Sequence, residues 1–232
     1  MNFKTRLQWK DIYYYQKTLI VRNGLYHNKE NLQSHLKEFK KVSNFLDEIN
    51  HILDTMVSIE EVLIPKLEEE LDLSFTSSEL LMIALTRPSI RNIFSDLKIY
   101  FSQKKDYPLD LTDFDILAST GYIANVLALL GDAVLDLAVV EIMWDPLLST
   151  TGDLTIKRKD FVSNKKLAKV CDRFNLRNYS LKRLNDPSQR LIKGKTLEHE
   201  KGTIVEAILG VIYLESSLEG VRCILPNLIP LL

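Results

Sequence analysis

Residues 126–142 read VLALLGDAVLDLAVVEI, a nearly continuous apolar run that carries Asp132 and Asp136. The run is too long for an ordinary strand and holds no proline, so it reads as a buried helix. A carboxylate taken into such a core is costly unless it is paired, hydrogen-bonded or metal-bound, so Asp132 needs a partner elsewhere in the chain. Residues 203–214, TIVEAILGVIYL, form the only comparable run, and Glu206 is its single charge. One glycine interrupts each run, Gly131 and Gly210. Each costs its helix roughly 1 kcal/mol relative to alanine, which implies that the backbones there approach something closely. Two central helices offering one inward carboxylate each would suit a hard divalent cation. A buried carboxylate can equally cap a neighbouring helix or pair with a lysine, and the pattern leaves that alternative open.

The chain of 232 residues is long enough for one well-filled core with an appendage, or for two small domains. No apolar run reaches the roughly 18 uncharged residues of a membrane span, and the opening MNFKTRLQWKD lacks the apolar core of a signal peptide. The expectation is a cytoplasmic protein with no membrane partner. Cys171 and Cys223 stand alone without metal-ligand spacing and read as buried thiols. The net charge of −1 is unevenly spread. Between Lys157 and Thr196 there are thirteen basic residues and three acidic ones, a surplus of ten positive charges. A polyanion is the natural counterpart, with a merely solvated helical face as the plainer reading.

Residues 1–65 have leucine and isoleucine near helical spacing and read as an accessory helical region, with a boundary near Pro65. Thr76 or Ser77 should cap a helix over residues 78–86 that Pro88 ends. Weak periodicity in residues 90–120 suggests short helical pieces joined by loops. Asp145-Pro146 and residues 150–153 mark turns, and a helix is expected from about Leu154 to Val162. Ser163 should cap another from Asn164 to Phe174, and a last one should run from Leu218 to about Leu225. Strand alternation is missing, so the fold class is all-α. Nucleotide-binding glycine loops, zinc clusters and nucleophile elbows are also missing. His35 and His51 read as ordinary helix-surface residues.

Three segments together resemble the ribonuclease III domain: LDLSFTSSELLMIALTRPS at 71–89, NVLALLGDAVLDL at 125–137 and KGTIVEAILGVIYLES at 201–216. Residues 152–176 are similar to the helices that lie between them in that family, so the resemblance spans about 66–225. It implies an all-helical endonuclease-type domain (66–232) with an extra N-terminal helical region (1–65). It also implies a homodimer with a valley for double-stranded RNA and acidic residues that bind magnesium, or manganese in its place. The family's four acidic positions fall on Ala128, Asp132, Thr203 and Glu206, so two acids are kept and two are missing; Asn125 also stands where a glutamate is common. The short Mini-III branch, which has no double-stranded-RNA-binding domain, is similar in its LALLGDAV and TIVEA segments and works with the equivalents of Asp132 and Glu206. The implied activity is magnesium-dependent endoribonuclease cleavage of double-stranded or structured RNA by metal-assisted phosphodiester hydrolysis. Asp132 and Glu206 would be catalytic metal ligands, with Asp136 in reserve. Lys157, Arg158, Lys165, Lys166, Lys193 and Lys195 would bind RNA. The alternative is an inactive protein of the same fold that binds structured RNA or a ribonucleoprotein.

Overall fold

The structure, a computed structural model, describes residues 10–27, 32–103, 111–147, 150–184 and 193–229. Among them every regular element is helical, and the all-α expectation holds. In order come α1 (Lys10–His27), α2 (Leu32–Ser58), a π-helical turn (Ile59–Leu63), α3 (Ile64–Leu71), α4 (Ser78–Ala84) and α5 (Ile90–Ser102). Then follow α6 (Leu111–Met143), α7 (Thr151–Phe161), α8 (Asn164–Arg173), a 3-10 turn (Leu176–Tyr179) and α9 (Lys195–Leu228). The one β-like contact pairs Thr86 with Leu181, through Arg87 N–H to Leu181 O at 2.8 Å and Leu181 N–H to Leu85 O at 3.0 Å.

The helix starts follow their capping residues. Ser77, Thr150 and Ser163 each take extended backbone and accept a hydrogen bond from the N–H three residues on, so α4, α7 and α8 begin where those side chains satisfy an orphan donor. Thr150 therefore starts α7 at residue 151, earlier than the sequence implied. The fragmented reading of 90–120 is also corrected: α5 and the first part of α6 are long helices, and only residues 104–110 of that stretch lie outside the described ones. Helix α5 holds Ile90, Ile93, Phe94, Leu97, Tyr100 and Phe101 in the core, a helical spacing that its polar residues obscure in the bare sequence.

Helices α6 and α9 make the central pair, with α8 against α9 and α5 against α6. Leu167, Val170, Cys171 and Phe174 form the buried face expected of α8. Burial pushes the Cys171 thiol up to about 11, so it stays protonated, whereas Cys223 is exposed rather than buried. Helix α9 breaks at Ser217 (φ 61°, ψ −171°), so its last part begins at Leu218 as expected and runs on to Leu228. Helix α2, the π turn and α3 follow end to end through residue 65, where Pro65 takes a first-turn position that needs no N–H donor. No helix of the described residues is long and apolar enough to cross a membrane.

Candidate metal centre and nucleic-acid face

The two glycines explain how the central helices meet. A Cβ on Gly131 would collide with the carbonyl oxygen of Glu206, and one on Gly210 would collide with the carbonyl oxygen of Leu127. Each helix thus offers the other a bare backbone, as expected from glycines in otherwise aliphatic runs. This contact places Glu206 beside the turn of α6 that carries Asp132.

Asp132 is exposed, which corrects its expected burial in the core. The reason lies in the helix wheel. Asp132 falls roughly 100° round α6 from Gly131, at the edge of the α9 contact rather than inside it. Its carboxyl is nonetheless held above the usual range, first by partial desolvation, then by Asp136, against the lowering effect of Arg158. Glu206 is half-buried, and desolvation followed by the charge of Asp132 pushes it up to about 7. Neither carboxylate has a hydrogen bond or ion pair among the described residues. Glu206, raised in part by the charge of Asp132, forms with it a donor set suited to a hard cation, which prefers carboxylate and water oxygens. Among the described residues no group of three or more histidine, cysteine or acidic residues is clustered for a metal ion, so any cation there would rest on these two carboxylates and water.

The other two acidic positions of the resemblance supply no charge. Ala128 is buried in the core, and the Thr203 hydroxyl donates to the His199 carbonyl oxygen at 3.0 Å. Asp136, one turn beyond Asp132, accepts from Arg158 Nη1 at 2.6 Å through Oδ2, while its Oδ1 is buried without a hydrogen-bond partner.

The basic segment divides by residue type. Its four described arginines each pair with an acid outside the segment: Arg158 with Asp136, Arg173 with Glu70, Arg177 with Glu200 and Arg183 with Glu48 and Asp96. Lys166 pairs with Asp160 at 2.6 Å and lies 5.0 Å from the centre of the Phe161 ring. Lys157, Lys165, Lys193 and Lys195 are exposed and have no ion pair among the described residues. The same holds for Lys159 and Lys169, which the sequence alone does not single out. Arg190 lies outside the described residues. The surplus of ten charges therefore overstates the free positive charge, because the four paired arginines serve as ties to other parts of the chain.

A further feature of α6 is an apolar stripe of Tyr122, Val126, Leu129 and Leu137, all exposed, with Leu129 at 71%. These residues lie within roughly 60° of the side opposite Gly131. Asp132 and Asp136 thus sit between the α9 contact and an uncovered apolar face.

The family model for the ribonuclease III domain matches residues 125–217, which takes in α7, α8, the acidic pair and the glycine contact. The chain is 30% identical to the nuclease domain of ribonuclease III from Campylobacter jejuni, with a TM-score of 0.51 over 71% of this chain and 94% of that one. It belongs to the ribonuclease III family. That solved structure is described for structural flexibility in the region involved in its dimer formation. The curated ribonuclease 3 of Campylobacter jejuni subsp. jejuni is 28% identical over 167 residues, 72% of this chain and 61% of the relative. Ribonuclease 3 of Sinorhizobium fredii is 32% identical over 97 residues, 41% of this chain and 39% of the relative. The chain thus spans about two fifths to three fifths of the length of these curated relatives.

Proposed function

We propose that this ribonuclease III family chain is a divalent-cation-dependent endoribonuclease that hydrolyses double-stranded or structured RNA as a homodimer, in the manner of the Mini-III branch. The observation that carries this reading is the pair Asp132 and Glu206, neither of them in an ion pair among the described residues, near the exposed and unpaired Lys157 and Lys159 of α7. A magnesium or manganese ion held by these carboxylates would activate water and offset the charge growing on the phosphate. Glu206 must lose its proton to serve as a ligand, and a site that pushes it up to about 7 asks for a cation or for alkaline pH. Asp132, open to solvent, faces the side from which a duplex could approach. Cleavage of long duplex RNA with magnesium, and none without it, is the expected result. Binding without cleavage at any magnesium concentration would favour the inactive RNA-binding reading, which the neutral Ala128 and Thr203 support. Residues 1–65 are read as an accessory helical region, and the cytoplasm is the location that fits the activity.

RNA affinity should rest on the exposed lysines. With each neutralised phosphate contributing roughly 0.9 to the logarithmic salt slope, replacing Lys157 and Lys165 together should lower that slope by up to about 2. Filter binding from low to moderate salt measures it, and an unchanged slope would move the binding face elsewhere.

A second copy of this chain is the proposed cover for the α6 stripe. An apolar face on a central helix, flanked by the acidic pair, suits a two-fold contact that sets two sites on either side of one duplex. Leu129→Asp should convert a dimer at micromolar concentration into a folded monomer by sedimentation. A wild-type monomer would defeat the proposal.

A further inference from the structure

We propose that Arg158, anchored by Asp136, contacts the phosphate at which the RNA is cut and stabilises the negative charge that develops there. This inference rests on the nuclease reading above. Arg158 stands on α7 between Lys157 and Lys159, which are exposed, yet its own side chain turns to α6 and is held at 2.6 Å by Asp136. A surface tether would suffice if its role were only to join two helices. Here the tether ends one turn from Asp132, and the charge of Arg158 reaches the Asp132 carboxyl.

Donor counting sharpens the point. A guanidinium has five N–H donors in a planar fork, and among the described residues only one is engaged, by Asp136. Both side chains remain one-third exposed, so the fork is fixed at one end and open at the other. Asp136 acts through Arg158, as a positioning residue. The donor is already oriented before substrate arrives, the condition under which a hydrogen-bond donor lowers a barrier most.

The chemistry creates a need for such a group. In hydrolysis a water oxygen bonds to phosphorus while the bond from phosphorus to one of its two ester sugar oxygens breaks. That oxygen leaves with the electron pair and takes a proton, and the water's own proton passes to solvent. Negative charge builds on the phosphate and on the leaving oxygen together. Asp132 and Glu206 alone provide at most two negative charges for holding cations, because Ala128 is apolar and Thr203 is neutral. One cation matches that charge. The remaining charge on the phosphate needs a second positive partner, and a tethered arginine supplies it without a further metal.

The test uses the full chain, a long RNA duplex and magnesium, with single-turnover cutting at saturating protein. Arg158→Ala should slow cutting by about 100-fold or more, in line with losing one preorganised donor. Arg158→Lys, which keeps a charge but loses the fork, should fall between. Asp136→Asn should also slow cutting, and adding it to Arg158→Ala should cost little more. Duplex affinity, compared in an Asp132→Asn background, should change only slightly. Manganese binding without RNA, read by electron paramagnetic resonance, should tighten in Arg158→Ala, since a positive charge leaves the neighbourhood of Asp132. A structural tie between α6 and α7 alone would lower the melting temperature and leave the lysine variant cutting at the wild-type rate. Normal cutting by Arg158→Lys, or a loss of affinity as large as the loss of rate, overturns the proposal while the nuclease reading stands. A wild-type chain that never cuts overturns both.

Discussion

Asp132→Asn and Glu206→Gln should each reduce magnesium-dependent cleavage by at least about a thousandfold, because a site with two carboxylates has no spare ligand. Folding should survive, since neither side chain has a hydrogen bond or ion pair among the described residues. The cation-free protein should even gain. Glu206 is raised from 4.5 to about 7 by desolvation and by Asp132. Its folded state therefore binds the proton more tightly than the unfolded one, and stability falls as pH rises from about 4.5 through 7. Glu206→Gln removes that loss. At pH 8 without cation it should melt about 2–4 °C above wild type, the equivalent of roughly 1 kcal/mol once solvent screening is allowed for. Magnesium should raise the wild type toward the variant and leave the variant unmoved. Retained cleavage in either variant would remove these residues from the site, and a drop in melting temperature for Glu206→Gln would remove the repulsion.

The contrast between Gly131 and Asp132 shows what the sequence can and cannot carry. A glycine in an aliphatic helix is a local cost with one common cause, close backbone approach, and both glycines meet the partner helix as expected. Asp132 reads as buried from the sequence because its run is apolar on every side. Such a helix has either a core all round it or two different apolar contacts, and periodicity cannot tell them apart. Here α9 covers one side while the stripe from Tyr122 to Leu137 stays open, so the acid lies on a rim. The caps at Ser77 and Ser163 were legible for the same local reason as the glycines. Ion pairs were not, since Arg158 pairs across 22 positions, Arg173 across 103 and Arg183 across 135. Counting charge within a window sees the arginines and misses their partners, so it overrates the basic segment and does not foresee the tie between Asp136 and Arg158.

The packing of α6 on α9 should be the most sensitive point of the fold. Gly131→Ala is expected to cost about 3 kcal/mol or more, above the usual range for overpacking, because the atom struck is the Glu206 carbonyl oxygen and not a side chain that can turn away. A chain of this length loses about 2–4 °C per kcal/mol, so melting should fall by about 6 °C or more. Gly210→Ala meets the carbonyl oxygen of Leu127 in the same way and should lose a comparable amount. Helix propensity works in the opposite direction, since alanine is favoured over glycine by roughly 1 kcal/mol in a helix interior. Gly24→Ala isolates that term, because among the described residues nothing beyond its own helix backbone and chain neighbours lies within 4 Å of a Cβ there, and it should stabilise by about 0.5–1 kcal/mol. Opposite signs at Gly24 and at the two central glycines would separate backbone contact from propensity in one melting series. The same clash ties fold to function. To admit a methyl group at Gly131, α9 must move away at Glu206, and the carboxylate that should share a cation with Asp132 moves with it. Gly131→Ala should therefore lose cleavage even at temperatures where it remains folded, while Gly24→Ala cuts normally. A Gly131→Ala protein that melts and cuts like wild type would mean that the two helices do not meet through their backbones.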